Sequence, residues 1–154
     1  MYDANQIADW FLNAVDRDAG DSITHLKLQK LVYYAQAWSL ALLGRPLFHE
    51  DFQAWAHGPV VPSVWQRFRD RRWDALEAVD ASHEFEPEVE NLLRDVLATY
   101  GEHSATALEN LTHQEEPWLR ARGGLPPEAR SHAVIAQPVM RQFYRRMYTE
   151  IEQA

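Results

Sequence analysis

The stretch LKLQKLVYYAQAWSLALL at residues 26–43 decides what this chain can become. Leu28, Leu31, Val32, Ala35, Trp38 and Leu42 recur at helical spacing on one stripe, and Leu26, Tyr34, Ala37 and Ala41 cover much of another. A helix built from these residues is apolar over most of its circumference, so it must be surrounded by other elements. Thr24 is placed to cap it, and Gly44 with Pro46 beyond forms a stop, which predicts a central buried helix from Thr24 to about Leu43. A chain of 154 residues can wrap such a helix, because a domain of that size buries about 68–70% of its unfolded surface.

The flanking patterns supply the wrapping. Asp3 and Gln6 have capping-box spacing, and Ile7, Trp10, Phe11, Ala14 and Val15 then repeat with helical period, predicting a first helix over 4–17. After Pro46 the period becomes two: Phe52, Ala54 and Ala56 alternate with Gln53, Trp55 and His57. That alternation predicts a hairpin with its bend near His49 to Asp51, ended by Gly58 and Pro59. Pro62 suits the first turn of a helix carrying Val64, Trp65 and Phe68, and residues 73–87 read as a linker or a ragged short helix. Pro87 opens the next helix, with Val89, Leu92, Leu93, Val96, Leu97 and Tyr100 on one face. Ser104 caps another, carrying Leu108 and Leu111, which is expected to break near Pro117 with Trp118 folded back onto the core. Gly123, Gly124, Pro126 and Pro127 mark a loop, His132 to Ile135 a third small strand, and Pro138 the first turn of a terminal helix with Met140, Phe143, Tyr144, Met147 and Ile151. The expected fold is mainly α: one domain over 1–154, a bundle of about six helices around the central one, with a small β-hairpin or short sheet.

Composition excludes several kinds of function. Without cysteine there is no disulfide, zinc-thiolate or iron–sulfur site, which fits a reducing cytoplasm. Seven histidines show no HExxH pair or compact ligand spacing, so neither metal nor cofactor is expected. No nucleophile elbow or phosphate-binding glycine loop is present, and Glu115 and Glu116 lie in a polar stretch where neither is expected to be desolvated into a tuned acid. No apolar run reaches the roughly 18 residues of a membrane span. A net charge of −8 repels nucleic acid and favours basic partners. Arg67, Arg69, Arg71 and Arg72, and Arg141, Arg145 and Arg146, lie beside Asp70, Asp74, Glu77, Glu150 and Glu152, and read as solvated faces. DNA-binding autoregulation through the first of these clusters, and an enzyme acting at His57 or His113, are the minor alternatives.

Six tryptophans, six tyrosines and six phenylalanines exceed what one small core readily hides. Trp55 shares its strand face with Gln53 and His57, Tyr33 lies off the main stripe of the central helix beside Lys30, and Trp65 with Arg69 has i, i+4 spacing. This Tyr, Trp and Arg group is either a protein-binding hot spot or a second layer of core. Gly58 and Pro59 are either part of the same surface or simply a turn.

The segments LKLQKLVYYAQAW at 26–38, AWAHGPVVPSVWQRF at 54–68 and LTHQEEPW at 111–118 resemble the Panacea antitoxin domain, the SocA-like family, a likeness that extends over roughly 4–148. The resemblance implies a stand-alone, non-enzymatic antitoxin of a bacterial or phage toxin–antitoxin system, which neutralises a cognate protein toxin by direct binding. The surface expected to bind it comprises Tyr33, Trp55, His57, Gly58, Pro59, Trp65 and Arg69. A ClpXP-type protease is the alternative partner, with the chain delivering the toxin to it as an adaptor.

Overall fold

The computed structural model describes residues 1–71 and 73–153. Helix α1, Ala4–Ala14, begins in the expected capping box: Asp3 Oδ1 accepts from the Gln6 amide at 2.8 Å, and Gln6 Oε1 accepts from the Asp3 amide at 2.9 Å. It stops short of residue 17. Val15 is extended, and the Asp16 side chain caps a separate 3₁₀ turn, Arg17–Ala19, by accepting from the Ala19 amide. A short polar side chain there competes with the helix for backbone donors.

Helix α2, His25–Trp38, starts at Thr24 as expected and continues as a π-helical turn over Ser39–Leu43. Every residue from Leu28 through Ala37 is buried. Helices α1, α3 (Pro62–Phe68), α4 (Pro87–Tyr100), α5 (Ala105–His113) and α7 (Gln137–Gln153) all pack on it. The burial includes polar side chains, and two of them tie loops to the helix. Gln36 accepts from the Leu47 amide at 2.7 Å and donates to the Phe48 carbonyl at 2.9 Å, while Gln29 accepts from the Val61 amide at 3.1 Å. Residues 46–52 are therefore an irregular segment pinned to α2, where the sequence pattern predicted half of a hairpin.

The hairpin lies further on. Strands β1 (Gln53–Trp55) and β2 (Gly58–Val60) pair antiparallel with Gln53 opposite Val60, Ala54 opposite Pro59 and Trp55 opposite Gly58, so the bend is Ala56-His57. Gly58 and Pro59 sit inside the second strand and do not end the ladder. Pro59 is tolerated because Ala54 turns its amide to the other edge, donating to the Ala133 carbonyl at 2.8 Å, so this pair needs no N–H from the proline. The expected third strand is reduced to one bridge, Gln53 to Val134, with the Ile135 amide donating to the Phe52 carbonyl.

Pro62 and Pro87 open α3 and α4, and Ser104 Oγ caps α5 at 3.0 Å from the Ala107 amide. Residues 73–86 form no helix, but Leu76 is buried and its amide donates to the Ile23 carbonyl. Pro117 does more than break a helix: it falls in the first turn of a further short one, α6, Glu116–Arg122. With it there are seven α-helices among the described residues, and the fold is mainly α with a two-stranded sheet. In α7, Met140 and Tyr144 enter the core, whereas Ile151 is 63% exposed because the helix outruns its neighbours. No helix among the described residues is long and apolar enough to cross a membrane.

Candidate functional site

The turn Ala56-His57 carries the hairpin toward α3, and the aromatic side chains of both meet there. Trp55 packs against Trp65 with ring centroids 5.3 Å apart and stacks on His132 at 5.2 Å. Its indole N–H donates to Gln53 Oε1, and its carbonyl accepts from the Trp118 indole, both at 2.8 Å. Trp118 is buried as expected, and the Arg122 guanidinium lies over its ring. Trp55 is thus held from behind and half-buried, with a fixed orientation.

Beside it opens a surface cavity of about 460 Å³ lined by His57, Trp65, Arg69 and Trp73, with His25 and Leu26 from the start of α2. Trp73 is 72% exposed, the most exposed large hydrophobic residue described. It lies in a stretch without apolar period, and for that reason the sequence pattern did not mark it. A tryptophan with no helical or strand partner, two residues after Arg71, was the available signal. Arg72 lies outside the described residues. Of the other arginines, Arg71 pairs as expected with Glu77 at 2.8 Å, whereas Arg67 lies 2.6 Å from Asp9 and Arg146 3.1 Å from Glu116, acids distant from them in the chain.

Of the residues expected to bind a partner, Trp55, His57, Trp65 and Arg69 share this face. Tyr33 does not. It is 1% exposed, packed edge-on against Phe52 and Tyr34, with its hydroxyl 3.0 Å from that of Tyr144. Phe52 and, from α7, Tyr144 cover the side of α2 that carries it, so the burial expected for most of the helix's circumference extends to Tyr33 as well. Gly58 and Pro59 are also buried. Gly58 has φ +108°, and a Cβ there would fall 2.5 Å from Lys30 Cε and 3.0 Å from Thr112 Oγ1. Its role is to clear space for the lysine behind it.

Beneath the face lies a set of titratable groups in which His57 and His113, singled out in the sequence, meet Lys30 and Glu109, which no motif indicated. Lys30 is 1% exposed, and burial pushes its ammonium down to about 8, against the pull of Glu109. Glu109 Oε1 is 2.8 Å from His57 Nδ1 and 4.0 Å from His113 Nε2, and the His113 ring stacks on Trp118 at 4.1 Å. His25 is held down to about 4 by burial and then by Lys30, and so is neutral.

A second polar cluster lies in the core and corrects the expectation for Glu115. This residue is 5% exposed, and its Oε1 accepts from the Tyr34 and Tyr144 hydroxyls, each at 2.8 Å. Burial lifts it to about 7, and the two hydroxyls only partly oppose the rise. Its neighbour Glu116 is on the surface. The polar letters around Glu115 suggested solvent, but the last turn of α5 and the start of α6 turn it onto α2 and α7. Among the described residues no group of three or more His, Cys, Asp or Glu side chains could hold a metal ion.

Residues 28–119, which supply most of the face and of both clusters, match the family model described as "Antitoxin SocA-like, Panacea domain". The chain belongs to this family. The matched span is shorter than the likeness expected from the sequence and leaves out α1 and α7. Antitoxin SocA of Caulobacter vibrioides (strain NA1000 / CB15N) is 33% identical over 109 residues, which cover 62% of this chain and 58% of that protein. The chain therefore spans less than two thirds of the length of that curated relative. No solved structure matches this chain. Within the Panacea-type chain, Lys30, His57, Trp65, Arg69 and Glu109 all fall inside the family match.

Proposed function

We propose that the chain is an antitoxin that neutralises a cognate protein toxin by direct binding, with no chemical step. The observation that carries this reading, beyond family membership, is the face on which His57, Trp65, Arg69 and Trp73 line one open cavity, with Trp55 packed against Trp65 beside it. A tryptophan held in place by its neighbours, beside two more and with an arginine at the rim, is the composition of a binding hot spot. The net charge of −8 favours encounter with a basic partner. Cytoplasmic action follows from the same reading.

Co-expression with the product of the adjacent reading frame tests it, scoring growth rescue and co-purification. A stable complex with rescue is the expected outcome. Trp55→Ala is expected to cost roughly 30-fold in affinity, the scale of a hot-spot residue, with the fold retained. Unchanged binding by a folded Trp55→Ala chain removes the proposed face, and rescue without any complex points away from steric neutralisation to delivery to a protease.

A further inference from the structure

Three polar side chains lie in the fully buried run of α2, and they are treated differently. Gln29 and Gln36 have protein partners for their amides, whereas Lys30 Nζ, equally buried, has no hydrogen-bond partner among the described residues. An ammonium carries three donors, and leaving it buried and unpaired is among the costlier arrangements in a protein interior. The surroundings are nevertheless shaped to hold it. Gly58 stands where any Cβ would strike the lysine stem, and Lys30 lines a small cavity of about 60 Å³ together with His57, Glu109, Leu26 and Trp73. Leu26, His57 and Trp73 also line the outer cavity, so the two adjoin.

We propose that this inner cavity is an acceptor slot for a single carboxylate of the bound partner, an Asp or Glu side chain or a chain end, which Lys30 anchors while Trp73 and Leu26 flank the stem behind it. That the partner is a protein rests on the antitoxin reading. The choice of a carboxylate follows from size and charge. The cavity holds about two waters' worth of volume, enough for one small head group. Glu109 already faces it, so a dianionic phosphate would meet a like charge that a monoanion meets only half as strongly. The carboxylate would be bound against the chain's negative mean field, which makes the slot a device for specificity more than for encounter.

The chain has two lysines, Lys27 and Lys30, so lysines labelled with carbon-13 at Cε report two resonances that Lys30→Met assigns. Sodium acetate is expected to shift the Lys30 resonance saturably, with half-saturation on the order of 10–100 mM, as befits one charge-assisted contact. Lys27, which already donates to the Gly101 carbonyl, should stay in place, and sodium chloride at equal ionic strength should move neither. A Lys30 resonance that ignores acetate overturns the slot, and so does one that follows chloride or phosphate as closely as acetate. That failure would leave growth rescue by the antitoxin untouched, whereas failed rescue would remove the toxin without altering the response of Lys30.

Discussion

Replacing Glu115 with Gln is expected to keep the fold and to remove a pH dependence that the natural chain carries between pH 4.5 and 7. The carboxyl is buried against Tyr34 and Tyr144 and lifted from 4.5 to about 7. Below pH 4.5 it is protonated in both folded and unfolded chains, and its contribution is fully present. As the pH rises to 7 the unfolded chain loses the proton that the folded one retains, so stability falls, by ~3 kcal/mol for a rise of this size. His25 runs in the opposite sense. Held down to about 4 from 6.5, it contributes stability above pH 6.5 that is lost as the pH falls toward 4. The two windows overlap, so the natural chain's own curve hides both, and the informative quantity is the difference between Glu115→Gln and the natural chain. Urea midpoints measured from pH 4 to 8 give it directly. The variant should gain progressively from pH 4.5 to 7, by roughly 1–2 M of midpoint at a slope typical of this size, and then level off. The new amide's unmatched N–H adds a constant offset that does not vary with pH. A difference curve that is flat across this window refutes the reasoning, because it means that Glu115 ionises in the folded chain as freely as in water.

Other perturbations test the remaining parts of the structure. Lys30→Met should stabilise the chain: an ammonium pushed down from 10.5 to about 8 costs ~3 kcal/mol at neutral pH, a cost relieved as the pH rises from 8 to 10.5. Thermal unfolding followed by circular dichroism should show a gain of roughly 5–10 °C at pH 7 that shrinks toward pH 10; an unchanged midpoint would mean that the lysine is solvated. Gly58→Ala should cost about 1–3 kcal/mol in urea denaturation, from a positive φ and the clash with Lys30. Adding Lys30→Ala should recover the part due to the lysine clash and leave the backbone part and the tight approach to Thr112. Arg122 donates to the carbonyls of Ala54, Pro126 and Ala129 at 2.7–2.9 Å while lying over Trp118, so Arg122→Lys should cost about 2–3 kcal/mol, since an ammonium cannot span that fork; equal stability would show that these contacts add nothing.

What was legible in the sequence was whatever neighbours along the chain dictate. Asp3 with Gln6, Thr24 and Ser104 act through hydrogen bonds that reach three residues, and Pro62 and Pro87 act through their own ring, so helix starts were readable to the residue. Apolar period placed α2, α4 and α7, and its near-complete circumference on α2 foretold the central helix. The hairpin register was misplaced because alternation over 52–57 fits either arm, and the deciding bonds, from Gln36 to the segment before it and from Ala54 to Ala133 after it, join residues far apart in the chain.

Residue type and spacing by themselves thus determined a mainly helical fold, a helix that had to be buried, and a family resemblance. Only the tertiary structure decided which polar residues lost their water. Burial depends on what arrives from elsewhere in the chain: α7 closes over Tyr33, two tyrosines from distant helices meet Glu115, and Gly58 brings its bare backbone against Lys30. The same accounting left Trp73 outside, because the segment that carries it has no apolar stripe with which to turn inward.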